Sequence, residues 1–408
     1  MNPLILSTYD IDGGAARAAY RLYKGLQDVG VTSQMLVHSK LSADSKVIHH
    51  KTVLAKLGPS SNALPLKLYS KREPTMFSTQ WFPDDILSKV TQFAPDVINL
   101  HWICNGFMQI ETMAKFHKPI VWTLHDMWAF TGGCHITQGC DRYIDSCGSC
   151  PQLKSNNNGD LSRWTWQRKA RAWKELSLTI VTPSMWLAKC ASSSSLFKDA
   201  RVEVIPHGLN TDRFKPIARN VARELLNLPQ NKQIILFGAS GNDKNKGFHL
   251  LYPALQNLSK SGWQDRAEVL IFGPYEQSNS VNVGFKAYYL GKLHDDISLA
   301  LAYSAADVMV VPSIQESFGQ TASESLACGT PVVAFNATGL KDIVEHQQNG
   351  YLASPYESED LARGIAWVLD SKDRHQKLSD RARSKAEREF TLELQARRYL
   401  SLFTELVK

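Results

Sequence analysis

The chain has 408 residues, 43% of them apolar and 21% charged, with a formal net charge of +7. That composition excludes a disordered or fibrous chain, and the length exceeds the roughly 100–200 residues of a single domain, so two or three domains are expected. The mild positive balance permits anionic partners, but no block of about five like charges marks a nucleic-acid tail, and no nucleic-acid partner is expected.

No apolar run approaches the ~18 residues of a membrane span. The start, MNPLILSTYD, lacks the basic opening of a leader peptide. A soluble, cytoplasmic chain is the expectation. From there the sequence alternates short apolar runs with helical patterns. PLILSTY reads as the first strand, and Ala16, Ala19, Tyr20, Tyr23 and Leu26 then recur at helical spacing. Between them lie Gly13 and Gly14. Glycines at a helix start let backbone approach a ligand, and the free amides there favour an anion. A tight turn that needs glycine accounts for them equally well. Asp10 and Asp12 spell Asp-x-Asp, a metal-binding signature that belongs deep inside a domain, so at a first turn it is read as coincidence.

SQMLVHS, DVINLH, PIVWTLH and LTIVTP continue the strand series. His125 and Asp126 follow the third of these, where a parallel sheet places its ligand-facing residues. Cys134, Cys140, Cys147 and Cys150 then fall within seventeen residues, the last two as Cys-x-x-Cys. They could form a tetrahedral zinc site, pack as reduced thiols, or oxidise on isolation. Next, SRWTWQRKARAWKEL sets Trp166, Ala170 and Trp173 on one helical face and Arg171 and Lys174 on another. This is either a helix packing its tryptophans inward or one that touches anionic membrane lipid.

After VEVIPHGLNTDRFKP a second series runs through QIILFGA, EVLIFG, DVMVVPS, PVVAF and NGYLAS. The βα rhythm predicts two doubly wound, Rossmann-like α/β domains facing a central cleft. Their expected spans are 1–206 and 207–389. A closing helix over 390–408, with Leu392, Ala396, Tyr399, Phe403 and Leu406 at helical spacing, is expected to pack back on the first domain. Within PSIQESFGQTASESLACGTPVVAF, Glu316 lies on the loop after a strand and Glu324 about two turns into a helix that begins near Gly319, Gln320 and Thr321. A helix start favours phosphate and a carboxylate can accept from a vicinal diol, so the pair suits two sugars held across a diphosphate.

VIPHGLNTDRFKP, NKGFHLL, ADVMVVPSIQESFGQTASESLACGTPVVAF and GLKDIVEHQQNGYLASP occur in the order seen in retaining glycosyltransferase family 4. The sequence resembles that family, of the two-domain GT-B fold, and within it the bacterial exopolysaccharide and O-antigen transferases of the colanic-acid type. The resemblance implies a hexosyl transfer from a nucleoside-diphosphate sugar to a glycan or lipid-linked acceptor. It assigns Glu316 to the donor sugar, Glu324 to the nucleotide ribose, Lys246 to the diphosphate, and His125 to the sugar from the first domain. Gly13 and Gly14 would border the diphosphate and the acceptor. The family often carries an arginine five or six residues before its lysine, where this chain has Ser240 and Gly241, with Lys244 as a substitute. No cofactor would be required for catalysis, because Lys246 supplies the cationic charge. A sugar-nucleotide epimerase or hydrolase of the same fold, and a non-catalytic nucleotide or nucleic-acid binder, are the competing readings.

Overall fold

The structure is a computed structural model that describes residues 1–238, 243–274 and 282–408. The chain divides into two compact units, one of Met1–Gly208 with Glu393–Lys408, the other of Leu209–Leu392.

The first unit holds a seven-stranded sheet in the order β3-β2-β1-β4-β5-β6-β7, with every paired strand parallel. Its strands are β1 (Pro3–Tyr9), β2 (Gln34–Ser39), β3 (Val47–His49), β4 (Val97–Leu100), β5 (Ile120–Thr123), β6 (Leu178–Thr182) and β7 (Arg201–Val204). The inner strands are buried on both faces, which is why they read as unbroken apolar runs. The order reverses between β1 and β4, so the loops leaving these two strands flank the switch point where such sheets bind ligands.

The second unit repeats the plan with six parallel strands in the order β10-β9-β8-β11-β12-β13. They are β8 (Gln233–Gly238), β9 (Ala267–Phe272), β10 (Ala287–Tyr289), β11 (Val308–Val311), β12 (Val332–Phe335) and β13 (Gly350–Ala353). Here the reversal falls between β8 and β11. Lys246 is on the loop leaving β8 and Glu316 on the loop leaving β11.

Helix Leu392–Val407 belongs to the first unit's core. Its Ala396, Tyr399, Leu402 and Phe403 are buried together with Ile5, Leu22, Tyr23 and Val121. The Tyr399 hydroxyl lies 2.8 Å from Thr123 Oγ1 at the end of β5. Helix Leu161–Trp173 differs from the face read in its sequence. The buried stripe is Ser162, Thr165, Lys169 and Trp173, while Trp164 is exposed. Lys169 turns inward because its ammonium donates to the Trp128 and Thr131 carbonyls and lies 3.7 Å from the centre of the Trp128 ring. Among the described residues no helix is long and apolar enough to cross a membrane.

If the closing helix is a structural part of the first unit, Phe403→Ala should cost about 3–5 kcal/mol of that unit's stability. Urea unfolding followed by tryptophan fluorescence checks this, and an unchanged midpoint would show that the helix packs only loosely.

Candidate active site

Two clusters of polar side chains gather at the two switch points. In the second unit Lys246 Nζ lies 2.7 Å from Glu316 Oε1, with both side chains only partly exposed. The charge of Glu316, working against burial, raises the lysine's pKa, so the ammonium is held protonated. Asn245 positions the pair. Its side chain donates to the Gln315 carbonyl at 2.8 Å and accepts from the Gln315 amide at 3.1 Å, and its own carbonyl accepts from Ile314 N at 2.8 Å. Gly247 lets the loops come this close. It has φ +72°, and a Cβ there would sit 1.8 Å from the Pro312 carbonyl oxygen.

Helix Gln320–Ala327 starts just beyond Glu316. Its N-cap is Gly319 at φ +106°, where a Cβ would meet Leu340 at 2.6 Å. Gln320 and Thr321 are half-buried on the first turn, and Glu324 is 4% exposed on the same helix. One oxygen of Glu324 accepts from the Tyr303 hydroxyl at 2.9 Å. Ser240 and Gly241 lie outside the described residues, and Lys244 is exposed.

In the first unit Gly13 caps helix Gly14–Asp28 at φ +86°, with both glycines exposed. Asp10 is a structural acceptor. Its buried carboxylate takes the amides of Ile11, Leu41 and Ser42, and these bonds outweigh burial and lower its pKa.

His125 sits beyond β5 as the middle ring of three. His101 lies on one side with ring centres 5.1 Å apart, His207 on the other at 5.0 Å, both pairs near-parallel. Asn99 sets the protonation pattern. Its amide nitrogen donates to the Val121 carbonyl and to Thr123 Oγ1, each at 3.0 Å, so its oxygen must face His101 Nε2 at 3.0 Å. His101 therefore carries its proton on Nε2 and accepts at Nδ1, from His125 Nε2 2.9 Å away. This leaves Nδ1 of His125 as an acceptor. Asp126 faces elsewhere. It accepts from Trp102 Nε1 and Trp128 N and pairs with His135 Nδ1 at 2.6 Å.

The four clustered cysteines line one cavity with Phe77 and Ser162. As they stand, however, no three Cys, His, Asp or Glu side chains among the described residues are set to hold a metal ion. None of the seven cysteines is in a disulfide.

The profile of glycosyl transferases group 1 matches residues 219–385, and that of Glycosyltransferase Family 4 matches residues 12–213. The chain belongs to glycosyltransferase family 4. A D-inositol 3-phosphate glycosyltransferase of Catenulispora acidiphila is 33% identical over 185 residues, which are 42% of this chain and 43% of that protein. The chain spans about half the length of the inositol-phosphate transferases it matches. A putative colanic acid biosynthesis glycosyl transferase, WcaC of Escherichia coli, is 23% identical over 366 residues, 85% of each chain. Anabaena HepE, solved in complex with UDP and glucose, shares the fold at a TM-score of 0.68 with 18% identity over 100% of both chains.

Sequence reasoning missed four members of these family 4 clusters: Asn245, Tyr303, His101 and His207. For the histidines a signal existed. Each lies within three residues of the C-terminal end of a strand, β4 for His101 and β7 for His207, which is where His125 also stands relative to β5.

Burial pushes the His125 imidazole down to about 4 from its ordinary 6.5, against the pull of Asp126. His101 and His207 are pushed the same way, by burial first and then by neighbouring His125. Because these folded-state values lie below the unfolded ones, the unfolded chain binds more protons as pH falls. The row's stabilisation is complete above 6.5 and is lost as pH drops toward about 4. His101→Gln should flatten the fall of the urea midpoint across that window. An unchanged slope would contradict the assignment of neutral rings.

Proposed function

We propose that this chain transfers a sugar from a nucleoside-diphosphate sugar to a hydroxyl of a glycan or lipid-linked acceptor, retaining the anomeric configuration, in the synthesis of cell-surface polysaccharide. The observation that carries this reading is the Lys246–Glu316 pair beside the start of helix Gln320–Ala327. A cation, a carboxylate and a helix start at one switch point match the charges that appear when a glycosyl diphosphate breaks.

In this reading the second unit holds the donor. Glu324 accepts from the ribose hydroxyls through the carboxylate that Tyr303 orients. The diphosphate takes Lys246 and the amides at Gly319–Thr321. As the bond from the sugar to the diphosphate lengthens, negative charge grows on the phosphate oxygens and positive charge on the sugar. Lys246 stabilises the first and Glu316 the second. The first unit contributes His125, whose Nδ1 accepts from a sugar hydroxyl, and the Gly13–Gly14 turn. The acceptor hydroxyl attacks from the face that the diphosphate leaves, and its proton passes to a departing phosphate oxygen. UDP-sugars are the first donors to test, because HepE, which shares the fold, was solved with UDP and glucose bound.

Glu316→Gln keeps size and removes charge, so it should lower turnover about a hundredfold, or ~2.7 kcal/mol of transition-state stabilisation. Glu324→Ala should act on binding, raising the nucleotide dissociation constant about tenfold to a hundredfold. A donor screen with nucleotide release measured with and without acceptor sugars checks both. Release that ignores the acceptor would replace the transferase reading with a hydrolase or epimerase. Full activity in Glu316→Gln would remove that residue from the reaction.

A further inference from the structure

The loop over 132–151 carries little regular structure beyond one short 3-10 turn, Arg142–Ile144. Yet it holds residues in costly conformations. Cys147 has φ +54° and Ser149 +43°, on either side of Gly148 at +100°. Non-glycine residues persist there only when their surroundings over-determine them. Cys134, Cys140, Cys147 and Cys150 all line the same cavity.

A backbone donor is already aimed at one of the sulfurs. Gly132 N lies 3.1 Å from Cys147 Sγ. An amide donor does little for a neutral thiol, which is a weak acceptor, and much for a thiolate. The charge balance points the same way. Lys169 is fully buried, and its ammonium is held by two carbonyls and an aromatic face, none of which cancels its charge. Burial pushes its pKa down to about 7, and the groups whose negative charge would hold the proton are Cys104, Cys147, Cys134 and Asp126. A divalent ion with four thiolates carries two net negative charges, for which a buried ammonium is the natural neighbour.

We propose that Cys134, Cys140, Cys147 and Cys150 bind one structural zinc ion that staples this loop. The four sulfurs do not stand at bonding separation, but a Cys Sγ moves by roughly 3 Å between staggered rotamers. Closing a tetrahedron with Zn–S bonds of about 2.3 Å would draw the four sulfurs together by rotation about their Cα–Cβ bonds. Each thiol gives up its proton as its bond to zinc forms, so uptake releases protons and weakens at low pH. The site is independent of the donor cluster in the other unit, and its failure would leave the transferase reading standing.

The test is metal analysis of the full chain, purified with a phosphine reductant and supplied with one equivalent of Zn²⁺. The proposal expects about one zinc per chain after desalting, and Co²⁺ in its place giving the thiolate charge-transfer bands and intense visible absorption of a tetrahedral site. Cys147→Ser with Cys150→Ser should lose the metal and lower the melting temperature. If that variant does not fold, Cys140→Ser, at a partly exposed position, should still shed zinc to a chelator sooner than the natural chain. Cys190→Ser should keep the stoichiometry. Wild-type protein that retains no zinc and whose four thiols all alkylate in the native state would overturn the proposal. So would equal metal loss in Cys190→Ser.

Discussion

Lys246 and Glu316 stand seventy residues apart in sequence and 2.7 Å apart in space, and the candidate donor site depends on that meeting. It is possible because Gly247 lets the loop leaving β8 lie against the Pro312 carbonyl, where any Cβ would collide. Asn245 then ties the two loops with three hydrogen bonds. A half-buried pair of this kind contributes little net stability once desolvation is counted. Its significance is positional, because it keeps a protonated lysine and an ionised carboxylate together at a strand-order reversal. On the proposed reading, an arriving diphosphate takes the lysine from the carboxylate, and the freed carboxylate then serves the sugar.

The first unit solves a different problem. Three imidazoles are stacked where water is scarce, and burial keeps them neutral. A neutral imidazole can present either nitrogen as acceptor, and Asn99 removes that freedom because the Val121 carbonyl accepts only its amide end. Thr123, which accepts from the same amide, is itself braced by Tyr399 from the closing helix. The direction of hydrogen bonding at His125 thus traces back through a strand to the last helix of the chain.

Much of this architecture was legible in the sequence. The inner parallel strands announce themselves as apolar runs, and PLILSTY matches β1 residue for residue. Three of the four edge strands do not. β3 and β10 have three residues each, and β7, Arg201–Val204, carries an Arg and a Glu on a half-exposed edge. At the site, Glu316, Gly319 and Glu324 were readable because one strand–turn–helix carries all of them. Tyr303 and Asn245 were not, since their partners lie 21 and 70 positions away. On the tryptophan helix Trp173 is buried as its face suggested, but Lys169 was not legible, because it is drawn inside by carbonyls that only the folded loop provides.

The competition for Lys246 is open to direct measurement by titrating UDP calorimetrically into the natural chain, Glu316→Gln and Lys246→Ala. If Glu316 holds the lysine in reserve for the diphosphate, Glu316→Gln should bind UDP at least as tightly as the natural chain. Lys246→Ala should bind it at least about tenfold more weakly, the loss of one charge-assisted hydrogen bond. Equal weakening in both variants would make the pair a structural strap, and unchanged binding in Lys246→Ala would place the diphosphate elsewhere.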